Sequence, residues 1–193
     1  MRVLVYLVCG WRGVGKTRWI GEKIDRKPQG ERWQVWFSAQ AAVRLESLKK
    51  ANEQVRWRSL PSACACCTGR VAFQVAFVRA LREDRPACVW IEVGAGVDPK
   101  GLLGVLQEEG LRESVRVESV VALVDREQWK QPRLQAHEGY RAHLEAADTL
   151  YLRSAFEADT TEESEAWAEF RKQWRGKRIV MWPEEVIRNA PVV

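Results

Sequence analysis

Three short groups of residues carry the chemistry available to this sequence. The first is Gly10-Trp11-Arg12-Gly13-Val14-Gly15-Lys16-Thr17, which fits G-x-x-x-x-G-K-[ST] without a mismatch. Glycine backbone lets successive N–H groups curl toward phosphate oxygens, and a helix starting at Lys16 adds its positive end. In that arrangement Lys16 reaches the terminal phosphates and Thr17 sets its hydroxyl on Mg²⁺. The second group is Glu92 with Gly94 and Gly96, in the run CVWIEVGAG. A carboxylate at the end of an apolar run can hold Mg²⁺ or its water, and the Gly96 N–H can meet a γ-phosphate and release it after hydrolysis. Asp125, which ends VVALVD, is the competing carboxylate. The third is Cys64-Ala65-Cys66-Cys67. Thiolates select soft or borderline metals such as Zn²⁺, and this triplet supplies at most three of four tetrahedral ligands.

Each group has a plainer reading: a glycine turn that binds nothing, a solvated strand end, and small residues or a redox pair in a turn. Context favours chemistry in the first two cases, because both follow strand-like runs. Three cysteines in four positions exceed what composition predicts. The other two cysteines, Cys9 and Cys88, lie inside apolar runs and read as core. His137 and His143, the only histidines, fall in a helical stretch with a spacing of six, which puts them on different faces and argues against a shared metal.

The elements that must position these groups alternate. Strands are expected at Val3–Cys9, Trp33–Ser38, Val55–Leu60, Ala87–Val93, Val115–Val124, Thr149–Leu152 and Lys177–Trp182. Helices are expected at Lys16–Lys27, Ala41–Ala51, Arg70–Glu83, Lys100–Glu109, Arg133–Ala147, Thr161–Trp174 and Pro183–Asn189. In Arg70–Glu83 the apolar spacing Val71, Val75, Val78 and Leu81 marks the expected buried face. Such alternation points to an α/β fold of three layers around a mostly parallel sheet. A single domain over 1–193 is expected, with no second domain opened by the last residues.

The bulk composition is that of a folded globular chain, with 46% hydrophobic and 30% charged residues. A net charge of +5 is modest and dispersed, which argues against nucleic acid as the partner. No run is long enough to span a membrane. The N-terminal apolar run leads into the glycine loop with no small-residue cleavage site, so a cytoplasmic protein with reduced thiols is expected.

Taken in order, these motifs resemble the nucleotide-binding domain of the CobW-like P-loop GTPases, metal-handling relatives of the hydrogenase and urease maturation GTPases. The family's G-C-I-C-C-T is matched by Ala63-Cys64-Ala65-Cys66-Cys67-Thr68, and its I-E-T-x-G by Ile91 to Gly96, with Asp98-Pro99 following. Its V-V-x-V-V-D is matched by Val120 to Asp125, and its A-D-x-x-x-L by Ala147 to Leu152. The resemblance implies a P-loop NTPase fold and Mg²⁺ with GTP or ATP. The nucleotide would be bound by Gly10, Gly13, Val14, Gly15, Lys16, Thr17 and Gly96, with Lys16, Thr17 and Glu92 in catalysis. It also implies Zn²⁺, or another thiophilic divalent metal, at Cys64, Cys66 and Cys67. The partners it implies are a metalloprotein client and a second copy of the chain.

Two positions depart from the pattern. Where the family has the guanine-reading N-K-x-D, this chain has Arg153-Ser154-Ala155-Phe156, with Asp159 three residues late. Where the family has an acidic N-E-F-G-like stretch, the chain has Phe37-Ser38-Ala39-Gln40, with Glu46 further on. The expected function is a slow NTPase that couples nucleotide state to metal binding; the alternative is a degenerate scaffold that holds nucleotide or metal without turnover.

Overall fold

The structure is a computed structural model, and it describes residues 2–37, 54–60, 69–153 and 161–182. Seven strands form one sheet: β1 (Val3–Gly10), β2 (Trp33–Phe37), β3 (Val55–Ser59), β4 (Cys88–Glu92), β5 (Val115–Asp125), β6 (Thr149–Arg153) and β7 (Arg178–Trp182). Their order is β3-β2-β4-β1-β5-β6-β7, and every pairing is parallel. The described helices are α1 (Lys16–Ile24), α2 (Arg70–Asp84), α3 (Pro99–Leu106), α4 (Glu109–Arg112), α5 (Arg126–Trp129), α6 (Pro132–Gln135), α7 (Glu138–Ala146) and α8 (Thr161–Gln173).

Parallel strands covered on both faces must be apolar on both, and the strand sequences are. On one face Val5, Leu7, Cys9, Trp36, Val89 and Ile91 pack with Phe73 and Phe77 of α2, Leu144 of α7 and Phe170 of α8. On the other, Val8, Val35, Trp90 and Leu123 pack with Trp19 and Ile20 of α1. Each fully buried aliphatic or aromatic side chain contributes about 1.5–3 kcal/mol relative to exposure. The tryptophans belong to this packing: Trp19 and Trp33 both lie against Trp90, which stacks on Tyr6 at 4.3 Å. Cys9 and Cys88 are buried free thiols, as expected of core residues. Burial raises both thiol pKa values, Cys9 to about 12, so neither offers a thiolate.

Three expectations about helices require correction. In α2 the buried face is Phe73, Phe77, Ala80 and Leu81, while Val71 and Val75 are 69% and 64% exposed. The two phenylalanines are larger, stand four residues apart, and meet the buried Trp36 edge-on or tilted at 5.9 and 5.3 Å, so they and not the valines decide which face is inward. The stretch Arg133–Ala147 is two helices, because His137 takes an extended backbone and its side chain accepts the Gly139 N–H as a cap. The stretch Lys100–Glu109 also divides: α3 ends at Leu106, and Glu109–Arg112 forms its own turn. The expected helices Ala41–Ala51 and Pro183–Asn189 lie outside the described residues.

Because all strands run the same way, their carboxyl ends line one edge of the sheet. That edge carries the loop after Gly10 at the centre, Glu92 on the adjoining β4, Asp125 on β5, Arg153 on β6 and Trp182 on β7. Ligands of open α/β sheets bind at this edge.

Candidate functional site

The loop from Gly10 to Thr17 has the backbone its sequence predicts. Gly10, Gly13 and Gly15 have φ of 122°, 80° and 103°, values that side chains other than glycine's resist. At Gly10 the constraint is also steric, since a Cβ there would lie 2.6 Å from the Leu123 backbone oxygen. Gly15 is the left-handed residue from which α1 starts, with no side-chain cap, so the first N–H groups of α1 have no capping side chain.

Lys16 is buried, and its Nζ donates to the carbonyls of Gly10 at 2.8 Å and Trp11 at 3.1 Å. Burial lowers its pKa, and nearby Glu92 pushes the other way. Thr17 Oγ1 donates to Glu92 Oε2 at 2.8 Å, joining α1 to the end of β4. Of the two carboxylates, Glu92 is the one bonded to the Thr17 side chain. Asp125 instead caps α5, accepting the N–H groups of Glu127 and Gln128, and lies 3.7 Å from Arg153.

The Thr17 hydroxyl and Glu92 carboxylate suit a hard cation. Both offer oxygen, the donor such a cation takes, and the two would hold Mg²⁺ with the phosphates. Gly96 lies in the turn beyond Glu92, is exposed, and has nothing within 4 Å of where a Cβ would stand, so its backbone is open to a ligand. Val97 N–H closes that turn on Gly94 O at 2.9 Å.

Several residues that hold the loop were not singled out from the sequence. Gln128 Nε2 donates to Arg12 O at 2.8 Å, fixing the loop's tip from α5. The Trp11 ring meets His137 at 4.7 Å and Tyr140 at 6.0 Å, both edge-on. His143 is fully buried, and its Nδ1 accepts the Gly10 N–H at 3.1 Å. Trp182 packs at Gly15, where a Cβ would stand 3.2 Å from its ring, and donates to Glu22. These partners lie far away in sequence, and no local pattern announces them. Cys64, Cys66, Cys67, Ser154, Ala155, Phe156 and Asp159 lie outside the described residues. Among the described residues no group of three or more His, Cys, Asp or Glu is placed to hold a metal. No described helix is long and apolar enough to cross a membrane.

The model of the CobW/HypB/UreG nucleotide-binding domain matches residues 4–181. The chain belongs to the CobW/HypB/UreG family. The zinc chaperone YeiR of Escherichia coli (strain K12) is 24% identical over 178 residues, a span of 92% of this chain and 54% of that protein. This chain therefore spans just over half the length of that curated relative. Among solved structures, the Zn(II)-bound YjiA GTPase of E. coli superposes with a TM-score of 0.63 at 15% identity, covering 96% of this chain and 58% of the other. HypB of Helicobacter pylori in complex with nickel gives 0.55 at 13% identity, covering 93% and 78%. These likenesses establish the P-loop NTPase fold.

Proposed function

We propose that this domain binds a nucleoside triphosphate with Mg²⁺, hydrolyses it slowly, and links its nucleotide state to a thiophilic divalent metal held by Cys64, Cys66 and Cys67. The observation that carries the nucleotide reading is the direct Thr17–Glu92 bond at the foot of the glycine cradle. It joins the loop that would hold phosphate to the turn that would sense it. Mg²⁺, when bound, would neutralise phosphate charge, held by the oxygens of Thr17 and Glu92.

The chain's own groups do the rest. The loop N–H groups and the start of α1 face the phosphates. Lys16, now engaged with Gly10 O and Trp11 O, is placed to exchange those carbonyls for phosphate oxygens. Glu92 acts on Lys16 against the effect of burial and favours its charged form before the ligand arrives. Among the described residues near the loop, His143 is neutral and already engaged with Gly10, and no other side chain stands ready as a base. Slow turnover without a partner follows from that arrangement.

The metal half of the reading rests on the three cysteines in four positions, on family membership, and on the metals of the relatives: zinc for YeiR and YjiA, nickel for HypB. A metalloprotein client and a homodimer belong to the same proposal. A second reading, a scaffold that keeps nucleotide without turnover, draws on Arg153-Ser154-Ala155-Phe156, which leaves the base without its carboxylate. The test is a competitive chelator titration of Zn²⁺ with and without bound nucleotide, on wild type and Cys66→Ser. Coupling predicts that nucleotide changes zinc affinity and zinc changes nucleotide affinity by the same factor, since linkage is reciprocal. Zinc affinity indifferent to Cys66→Ser would make the triplet structural.

A further inference from the structure

His143 makes a contact that the nucleotide reading does not use. It lies on α7, which packs against β1, β5 and α3, and it has no exposed surface. Its Nδ1 accepts the N–H of Gly10, the first residue of the phosphate loop. A backbone N–H can only donate, so Nδ1 is unprotonated and a neutral ring carries its proton on Nε2. Burial and the Lys16 ammonium keep the ring neutral, with a pKa lowered to about 4, against weaker opposition from Asp98.

The Nε2–H is therefore a fixed donor, fully buried and without a hydrogen-bond partner. Buried polar groups left unpaired are few in native proteins and call for a reason. The carbonyls of Ala95 and Val97 lie close enough to act on the ring as acceptors, though neither meets Nε2–H with full hydrogen-bond geometry. Ala95 O also lies against α7 at Gly139, 3.7 Å from where a Cβ would stand, so this turn sits directly on the helix. The same turn contains the open Gly96 and follows Glu92, already bonded to Thr17. One imidazole thus stands between the first N–H of the phosphate loop and the turn nearest the γ-phosphate position. Trp11, braced by Tyr140 of α7 and by His137, the cap of that helix, ties the loop to α7 a second time.

We propose that His143 is a positioning residue that couples the two loops: it holds the Gly10 N–H through Nδ1, and its Nε2–H takes a carbonyl of the Ala95–Val97 turn when a triphosphate draws that turn inward. The proposal rests on the nucleotide reading above. The diphosphate leaves the turn where it is, and Nε2–H stays unpaired. His143 touches no phosphate and acts through Gly10 and the turn.

The test uses the wild-type chain labelled with ¹⁵N-histidine, in Mg²⁺ with either GDP or a non-hydrolysable GTP analogue. The expected spectrum shows a neutral ring protonated on Nε2 in both states. Exchange of Nε2–H with solvent should be slower with the analogue by about tenfold or more, the effect of gaining a hydrogen bond. His143→Asn keeps an acceptor for Gly10 and removes the distal donor. It should bind GDP within about threefold of wild type and the analogue about tenfold more weakly. His143→Gln returns an amide N–H near the position of Nε2 and should recover most of the difference. Equal Nε2–H exchange in the two states overturns the coupling, as does an equal loss of both affinities in His143→Asn, which would mean a purely structural role. A wild-type chain that binds neither nucleotide overturns the parent reading and this one with it; one that binds both with no difference at His143 overturns this one alone.

Discussion

Replacing Gly10 by alanine should destabilise the domain severely. A Cβ at that position would stand 2.6 Å from the Leu123 carbonyl oxygen, 3.2 Å from its nitrogen and 3.1 Å from Val14 Cγ1. Leu123 is paired with Gly10 in the β1–β5 ladder, so it cannot retreat without parting the two central strands. Overpacking of this kind costs about 1–3 kcal/mol. The φ of 122° is available to glycine and unfavourable for alanine, which adds about 1–3 kcal/mol. Together they come to about 2–6 kcal/mol, or a fall in Tm of roughly 10 °C for a chain of this size. The control is Gly96→Ala, where nothing lies within 4 Å, and the expected change is within about 0.5 kcal/mol. Urea and thermal unfolding of the two variants beside wild type read the difference. A Gly10→Ala protein within about 1 kcal/mol of wild type would refute the claim that the loop is clamped against β5.

Acid should destabilise the fold through His143. Its pKa falls to about 4 in the folded chain from 6.5 unfolded, so the unfolded chain takes up the proton first; the contribution is full above pH 6.5 and lost as pH falls toward 4, on the order of 3 kcal/mol. Lys16 and Asp98 are the charged groups facing the ring, and His143→Asn should flatten the difference in unfolding free energy between pH 7 and pH 4.5. Glu92→Gln should weaken Mg²⁺ in the nucleotide complex by about tenfold or more while leaving metal-free nucleotide affinity nearly unchanged, read by Mg²⁺ titration at fixed nucleotide. Preference for GTP over ATP should fall below about 100-fold, because the sequence has Arg153-Ser154-Ala155-Phe156 in place of a guanine-reading carboxylate motif. Competition of labelled GTP with ATP measures it, and a strong preference would show that Asp159 or backbone atoms read the base instead.

Most strands were legible because they are runs rich in β-branched, aromatic or leucine residues, stopped by a glycine, a charge or a turn. The glycine loop was legible because its geometry depends on residues adjacent in sequence. What periodicity missed is contact made across the chain. In α2, valine spacing suggested one face, and the bulk of Phe73 and Phe77 against Trp36 selected another. The break between α6 and α7 comes from a histidine cap, which patterns of apolar residues do not register. Glu92 was preferred to Asp125 for the glycines after it; the contacts that set them apart, Thr17 donating to Glu92 and Asp125 capping α5, are made across the chain. Gln128 and His143 reach the loop from 116 and 133 residues away, so only the fold could reveal them.

The central claim is that the Gly10–Thr17 loop binds a nucleoside triphosphate, and isothermal titration of Mg·GTP and Mg·ATP into wild type and Lys16→Ala tests it most directly. Lys16 donates to two loop carbonyls in the free protein, so circular dichroism and Tm must first show that the variant is folded. The account predicts binding near one nucleotide per wild-type chain and a loss of about 100-fold or more in folded Lys16→Ala, as expected when charge-assisted bonds to phosphate are removed. No heat from either nucleotide in folded wild type, or equal affinity in the variant, would contradict it.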